Sequence, residues 1–154
     1  MTRENKIKNI KIRKAKEKDI PEIQKVIYES LKSVKEKKSL IKKLFNDYSI
    51  LKIKKARKRT DMFVAEKNKK ILGTGRIEGT HEIRMIYVKP EMQKKGIGTK
   101  MISYLEKIAK KKKWKSVHVK ALWSAKRFYE KLGFVQDKKK KNKETRFMRK
   151  KLEW

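Results

Sequence analysis

The chain contains no cysteine, two prolines, two histidines and six glycines in 154 residues, and only 17 acidic side chains against 49 lysines and arginines. Without cysteine there is no disulfide, no thiolate zinc site and no cysteine nucleophile. His81 and His118 stand far apart, with no second imidazole at ligand spacing. No metal site is expected, and both rings are assigned to packing. No apolar run approaches the ~20 residues of a membrane span. The first residues, Met1 to Lys6, lead into alternating lysine and isoleucine rather than the apolar core of a signal peptide. No membrane association is expected, and a cytoplasmic location is the simplest reading. No stretch is rich in proline, glycine and serine, so residues 1–154 are expected to form one domain, with residues 1–9 a candidate flexible lead. A chain of this length buries roughly 68–70% of its unfolded surface and needs no staples.

What is abundant is positive charge, +32 in all. Such a surface draws polyanions, and RNA or the ribosome is the obvious macromolecular partner. The lysines are spread along the whole chain rather than held in one block. That distribution equally suits a lysine-rich composition combined with an anionic cofactor. Both readings stay open at this level.

Hydrophobic periodicity sets the element order. Ile10 and Ile12 alternate with Lys11 and Arg13 as in a strand. Asp19, Pro21 and Glu22 have the spacing of a helix start, with Asp19 as N-cap and Glu22 completing a capping box. Ile20, Ile23, Ile27 and Leu31 follow as one stripe. Leu40, Ile41, Leu44, Phe45 and Tyr48 mark a second helix, which Leu51 continues into the basic stretch 54–59. Residues 62–65 and 71–72 flank Asn68 as a hairpin, and residues 81–88 form the next strand after Gly79. Gly73, Gly75 and Gly79 are read as marks of bulges or close approach. Residues 96–112 make a long amphipathic helix, 117–119 a short strand, and 124–132 a helix ended by Gly133. Phe134, Val135, Phe147 and Met148 bracket the basic turn 138–143 as a last hairpin. The expected fold is α/β, of mixed α+β character. Its core is a central, mixed but mostly antiparallel sheet of six to seven strands with helices on both faces.

Residues 85–98 are the most informative stretch: an apolar strand stops at Pro90, crosses a short loop and enters a helix through Gly96 and Gly98. A helix N-terminus reached through glycines leaves backbone N–H groups bare and carries partial positive charge, which suits phosphate. Lys94 and Lys95 add two full charges. No Gly-Lys-Ser/Thr follows, so the turn is not a Walker loop. Alone, two glycines opening a helix are a weak signal.

Two companions strengthen it. Residues 82–88 feed directly into the turn, and residues 125–134 run Ala-Lys-Arg-Phe-Tyr-Glu-Lys-Leu-Gly-Phe. Together these resemble the GNAT superfamily of N-acetyltransferases. Gln93, Gly96 and Gly98 match its Gln/Arg-x-x-Gly-x-Gly/Ala pyrophosphate motif, and residues 125–134 match its penultimate motif almost throughout. The resemblance spans roughly residues 10–150. It implies direct transfer of an acetyl group from acetyl-CoA, as co-substrate, to a primary amine, such as a protein N-terminus or a lysine, without a metal. By the same resemblance, backbone of Ile86, Tyr87 and Val88 pairs with the pantetheine arm. Gln93 and the amides of Lys94, Lys95, Gly96, Ile97, Gly98 and Thr99 belong to the pyrophosphate site. Tyr129 matches the tyrosine that protonates the departing thiolate, a role a phenol of pKa ~10 can serve at neutral pH. Glu82, eleven positions before Gln93, matches a strand glutamate used as general base in some members. It lies four residues before Ile86, or ~13 Å at ~3.3 Å per strand residue, so a water relay is expected.

Two features depart from the family. Leu122 stands where many members carry an asparagine that bonds the pantetheine, with Ser124 the candidate substitute. The basic residues 52–59, expected to border the acceptor, disfavour polycationic amines. The alternative class is a nucleic-acid-binding module on the same fold without catalysis.

Overall fold

The computed structural model describes residues 8–141 and 145–153, without the side chains of 139–141. Residues 1–7 of the expected flexible lead, and part of the basic turn 138–143, lie outside the described residues. The strands are β1 Lys11–Lys14, β2 Asp61–Lys67, β3 Lys70–Ile77, β4 Ile83–Val88, β5 Ser116–Leu122, β6 Val135–Lys141 and β7 Thr145–Lys151. The α-helices are α1 Ile20–Ser33, α2 Lys38–Asp47, α3 Ile50–Arg59, α4 Ile97–Lys111 and α5 Lys126–Lys131. All seven expected strands are present, but they form two antiparallel sheets, ordered β1-β2-β3-β4 and β5-β7-β6. A single parallel bridge, Glu82 with His118, joins them, closed by the His118 N–H donating to the His81 carbonyl at 3.0 Å. Past that bridge β4 and β5 belong to separate sheets, so the edge of β4 from Ile86 to Val88 has no strand partner on that side among the described residues.

Helices cover both faces. On one side α4 sets Ile97, Met101, Ile102, Leu105 and Ala109 against Ile83, Val117 and Val119. On the other, Ile20, Ile23, Val26, Ile27 and Leu31 of α1 join Ile53 and Ala56 of α3 over Met62, Val64, Ile71 and Met85. Strands covered on both faces lose polar alternation, which is why residues 62–65 read as an unbroken apolar run. Among the described residues no helix is long and apolar enough to cross a membrane. Nor, among them, do three His, Asp or Glu side chains gather as a group that could hold a metal ion.

Two local expectations are corrected. Asp19 does not cap α1 through its side chain, and Glu22 completes no box with it. A 3-10 turn, Glu17–Asp19, precedes the helix, so Asp19 already has helical backbone angles and its carboxylate points back. It accepts from the Lys16 amide at 2.7 Å and from both terminal nitrogens of Arg13 at 2.8 and 3.1 Å. Glu22 instead accepts from the Ile71 amide at 2.7 Å, tying α1 to the start of β3. The second helix is also two helices. Tyr48 leaves the helical region, and the Ser49 hydroxyl accepts from the Lys52 amide at 3.3 Å, restarting the chain as α3.

The Arg13 hydrogen bonds hold the Asp19 carboxyl below its ordinary value, outweighing its burial. A lowered carboxylate stabilises the fold above its unfolded pKa of ~3.9 and ceases to do so as pH falls through the folded value. Asp19→Asn is expected to cost about 1–3 kcal/mol at pH 7, the scale of a charge-assisted hydrogen bond. In urea titrations from pH 7 to 2 that difference narrows below pH ~4; a pH-independent gap would refute this role for the ion pair.

Candidate active site

Strand β4 is interrupted where it meets β3. Arg76 pairs with Arg84 and Thr74 with Tyr87, so Gly75 alone opposes both Met85 and Ile86. Met85 takes the extra position as a bulge at φ +62°, and the Thr74 hydroxyl donates to its carbonyl at 2.8 Å. Gly75 fits the same place for lack of a side chain: a Cβ there would stand 2.6 Å from Met101 Cγ on α4. Its reading as a site of close approach and bulge holds. Beyond the bulge Ile86 and Val88 pack towards α4, and Tyr87 towards α1.

After Val88 the chain makes a 3-10 turn, Pro90–Met92, and reaches α4. The Gln93 side chain donates to the Val88 carbonyl at 3.1 Å, fastening the turn to the strand end. Lys94 at φ +60° and Gly96 at φ +93° bend the backbone through two left-handed positions. The first α4 hydrogen bond runs from the Lys100 amide to the Gly96 carbonyl at 2.9 Å. The amides of Ile97, Gly98 and Thr99 therefore have no partner within the helix. Lys94 is exposed, and the Lys95 ammonium donates to the Glu91 carbonyl at 2.6 Å. A Cβ on Gly98 would lie 3.1 Å from the Phe128 ring, so this glycine lets α4 approach α5.

Tyr129 is buried on α5, edge-on to Phe128 and Phe134 at 5.0 and 5.4 Å between ring centres. Burial, reinforced by the Tyr48 phenol, raises its pKa far above that of a free tyrosine. Burial likewise pushes up the phenols of Tyr48 and Tyr87, whose rings meet edge to face at 5.5 Å. Ser124 is exposed, and its amide donates to Glu36 Oε1 at 2.8 Å, linking the end of β5 to the loop between α1 and α2.

Glu82 is buried at the parallel bridge. By strand alternation Glu82, Arg84, His118 and Lys120 share the face opposite α4. The carboxylate pairs with Arg84 Nε at 2.9 Å, His118 Nε2 at 3.3 Å and Lys120 Nζ at 4.0 Å. Its Oε2 is buried and has the Arg84 guanidinium as its ion-pair partner. The glycine turn follows the far end of β4. His81 stacks on Trp114 at 4.1 Å and His118 on Phe147 at 4.8 Å, in keeping with their packing roles. Trp123 stands at the rim, 56% exposed, with the Arg146 guanidinium 4.0 Å above its ring.

Sequence reasoning missed the face of β4 across from α4. There Tyr48, Arg76, Arg84 and Met85 line a cavity of about 520 Å³ under α3. Arg76, a buried cation between Gly75 and Ile77, was the available signal.

The profile of the acetyltransferase (GNAT) domain matches residues 30–150. The chain belongs to the GNAT family of acetyltransferases, the class that the parted sheet and glycine turn define. Its fold is similar to a GCN5-related N-acetyltransferase from Rhodopseudomonas palustris, with TM-score 0.84, 19% identity, and 94% of this chain and 96% of that one covered. It is also similar to the PaiA N-acetyltransferase from Thermoplasma acidophilum in complex with coenzyme A, with TM-score 0.80, 23% identity and coverage of 92% and 98%. N-acetylglutamate synthase from Neisseria gonorrhoeae, complexed with coenzyme A and N-acetylglutamate, aligns at TM-score 0.71 and 14% identity, over 94% of this chain and 35% of that one. No curated protein sequence matches the chain.

Proposed function

We propose that the protein is an N-acetyltransferase that moves the acetyl group of acetyl-CoA directly to a primary amine. The observation that carries this reading is the unpaired edge of β4 running through the Lys94–Gly96 turn to a helix N-terminus with bare amides, where Gly98 meets Phe128 beside the buried Tyr129. In this reading backbone of Ile86, Tyr87 and Val88 holds the pantetheine as an added strand would. Gln93 braces the turn, and the amides from Lys94 and Lys95 through Gly96, Ile97, Gly98 and Thr99 receive the pyrophosphate. Leu122 offers no side-chain hydrogen bond here. Ser124 is exposed at the end of β5, and in this reading it is the candidate substitute for that contact.

The bound thioester supplies an activated acetyl carbon and a thiolate leaving group. The amine nitrogen bonds to that carbon as the carbon–sulfur bond breaks. Glu82, directly or through water, takes the proton the amine sheds, and Tyr129 gives its phenolic proton to the sulfur. Its raised pKa keeps Tyr129 protonated until negative charge develops on the sulfur, whose thiolate the dry surroundings also penalise; the phenolate left by the transfer takes a proton back from solvent before the next turnover. A protein N-terminus or a lysine stays within this proposal as acceptor. Attraction to RNA or the ribosome follows from charge alone and weakens steeply with salt.

The test is a time course with isotopically labelled acetyl-CoA and a panel of primary amines, reading both free thiol and acetylated amine by mass. Label is expected on nitrogen, in step with thiol release. Glu82→Gln is expected to alter the basic-side pH dependence of kcat/KM, because the amide cannot accept the proton. An unaltered profile and rate would return Glu82 to a purely structural anchor. Tight, discriminating RNA binding at 150 mM salt with no transfer to any amine would favour the binding module instead.

A further inference from the structure

The cavity under α3 is built for negative charge. Lys52, Lys55, Arg59, Arg76 and Arg84 line it, and the single acid on its wall, Asp47, faces Lys52 at 3.9 Å. Behind the wall one carboxylate oxygen, Glu78 Oε1, serves three guanidinium groups: Arg76 directly, Arg84 at 3.7 Å and Arg59 at 3.8 Å. Glu82, the other carboxylate near Arg84, is shared with His118 and Lys120. Five cations therefore face three carboxylates, two of which are divided among several partners.

Arg76 makes the shortage specific. Its side chain is only 5% exposed, and its buried Nε–H has no acceptor. A buried guanidinium hydrogen without a partner is costly, and it belongs to a side chain that also lines the cavity. The forked guanidiniums of Arg76, Arg84 and Arg59 present N–H groups in the geometry that carboxylate and phosphate oxygens accept. The cavity volume, about 520 Å³, lies in the range of small-molecule sites.

Position ties the cavity to the reaction. Met85 lines it and is the bulge residue, one step before Ile86, where the segment assigned to the pantetheine begins. The cavity therefore reaches β4 at the bulge, and Arg84 on its wall is paired with Glu82 on the same strand face.

Resting on the transferase reading above, we infer that the acceptor is a small primary amine that carries its own anionic group, a carboxylate or a phosphate, held in this arginine-lined cavity. The charge both attracts such an acceptor and repels polyamines.

The experiment uses matched pairs: γ-aminobutyrate against its carboxamide, and phosphoethanolamine against ethanolamine, with spermidine as the polycation. Each is titrated calorimetrically into the protein saturated with coenzyme A, at 150 mM salt, and assayed in parallel for acetyl transfer. The anionic member of at least one pair is expected to bind on the order of 10-fold or more tightly, the scale of a charge-assisted hydrogen bond. The advantage should appear in KM when turnover is measured, and the better pair tells carboxylate from phosphate. Arg59→Gln with Lys55→Gln, both at exposed positions on α3 that leave the core untouched, should shrink the anion-to-neutral ratio towards one. Equal binding of both members of both pairs, or preferred binding of spermidine, overturns the acceptor assignment and leaves the transferase intact. Loss of the transferase reading has a different signature: no labelled acetyl group on any amine and no stabilisation by acetyl-CoA.

Discussion

Tyr129→Phe is expected to lower kcat by on the order of 10²-fold while acetyl-CoA affinity stays within about twofold, because only the proton donor is removed. The ring that packs edge-on against Phe128 and Phe134 is retained, so the fold and the α4–α5 contact survive. Stopped-flow thiol release under single-turnover conditions separates chemistry from product release. The pH dependence adds a second reading. Burial raises the phenol pKa, so the group stays protonated beyond the ordinary tyrosine value of ~10. Wild-type kcat should therefore show no alkaline fall attributable to Tyr129 below pH ~10. An unchanged single-turnover rate in the phenylalanine variant would assign Tyr129 to packing alone.

Gly96→Glu is expected to abolish the thermal stabilisation that acetyl-CoA gives the wild type. At a ligand concentration 100 times Kd that stabilisation is about 2.7 kcal/mol. The substitution acts twice. A side chain at φ +93° strains the backbone, by about 1–3 kcal/mol. The new carboxylate also stands at the bare amides that the proposed function assigns to the pyrophosphate. Because strain alone lowers Tm, the comparison is the shift produced by ligand in each protein rather than the two apo values. Gly79→Ala serves as the control, since a Cβ there meets nothing within 4 Å and the residue has no left-handed φ. Equal ligand-induced shifts in wild type and Gly96→Glu would remove the turn from the cofactor site.

Much of this was legible along the chain because it is encoded locally. The helix stripes of α1 and α4 follow from one residue's spacing to the next. Asn68 and Lys69, both at positive φ, make the hairpin that their flanking apolar runs predict. The glycine turn and the residues around Tyr129 could be named because each lies within one short segment.

Long-range register was not legible. Nothing in residues 81–88 or 116–122 says that these strands touch at Glu82 and His118 and then part. That parting depends on β5 pairing with β7, whose partners come from residues 145–151. The bulge at Met85 depends equally on Gly75 meeting α4, and Asp19 left its expected cap for Arg13 on a neighbouring element. The cavity is the clearest case. Arg59 ends a helix, Arg76 lies inside β3 and Arg84 inside β4, and each alone reads as an ordinary basic residue in a chain full of them. Sequence determined the elements, the charge, the glycine turn and the family, because periodicity, composition and short motifs are local properties. Tertiary structure decided which cations converge on one carboxylate and where the sheet opens, because those depend on packing between segments tens of residues apart.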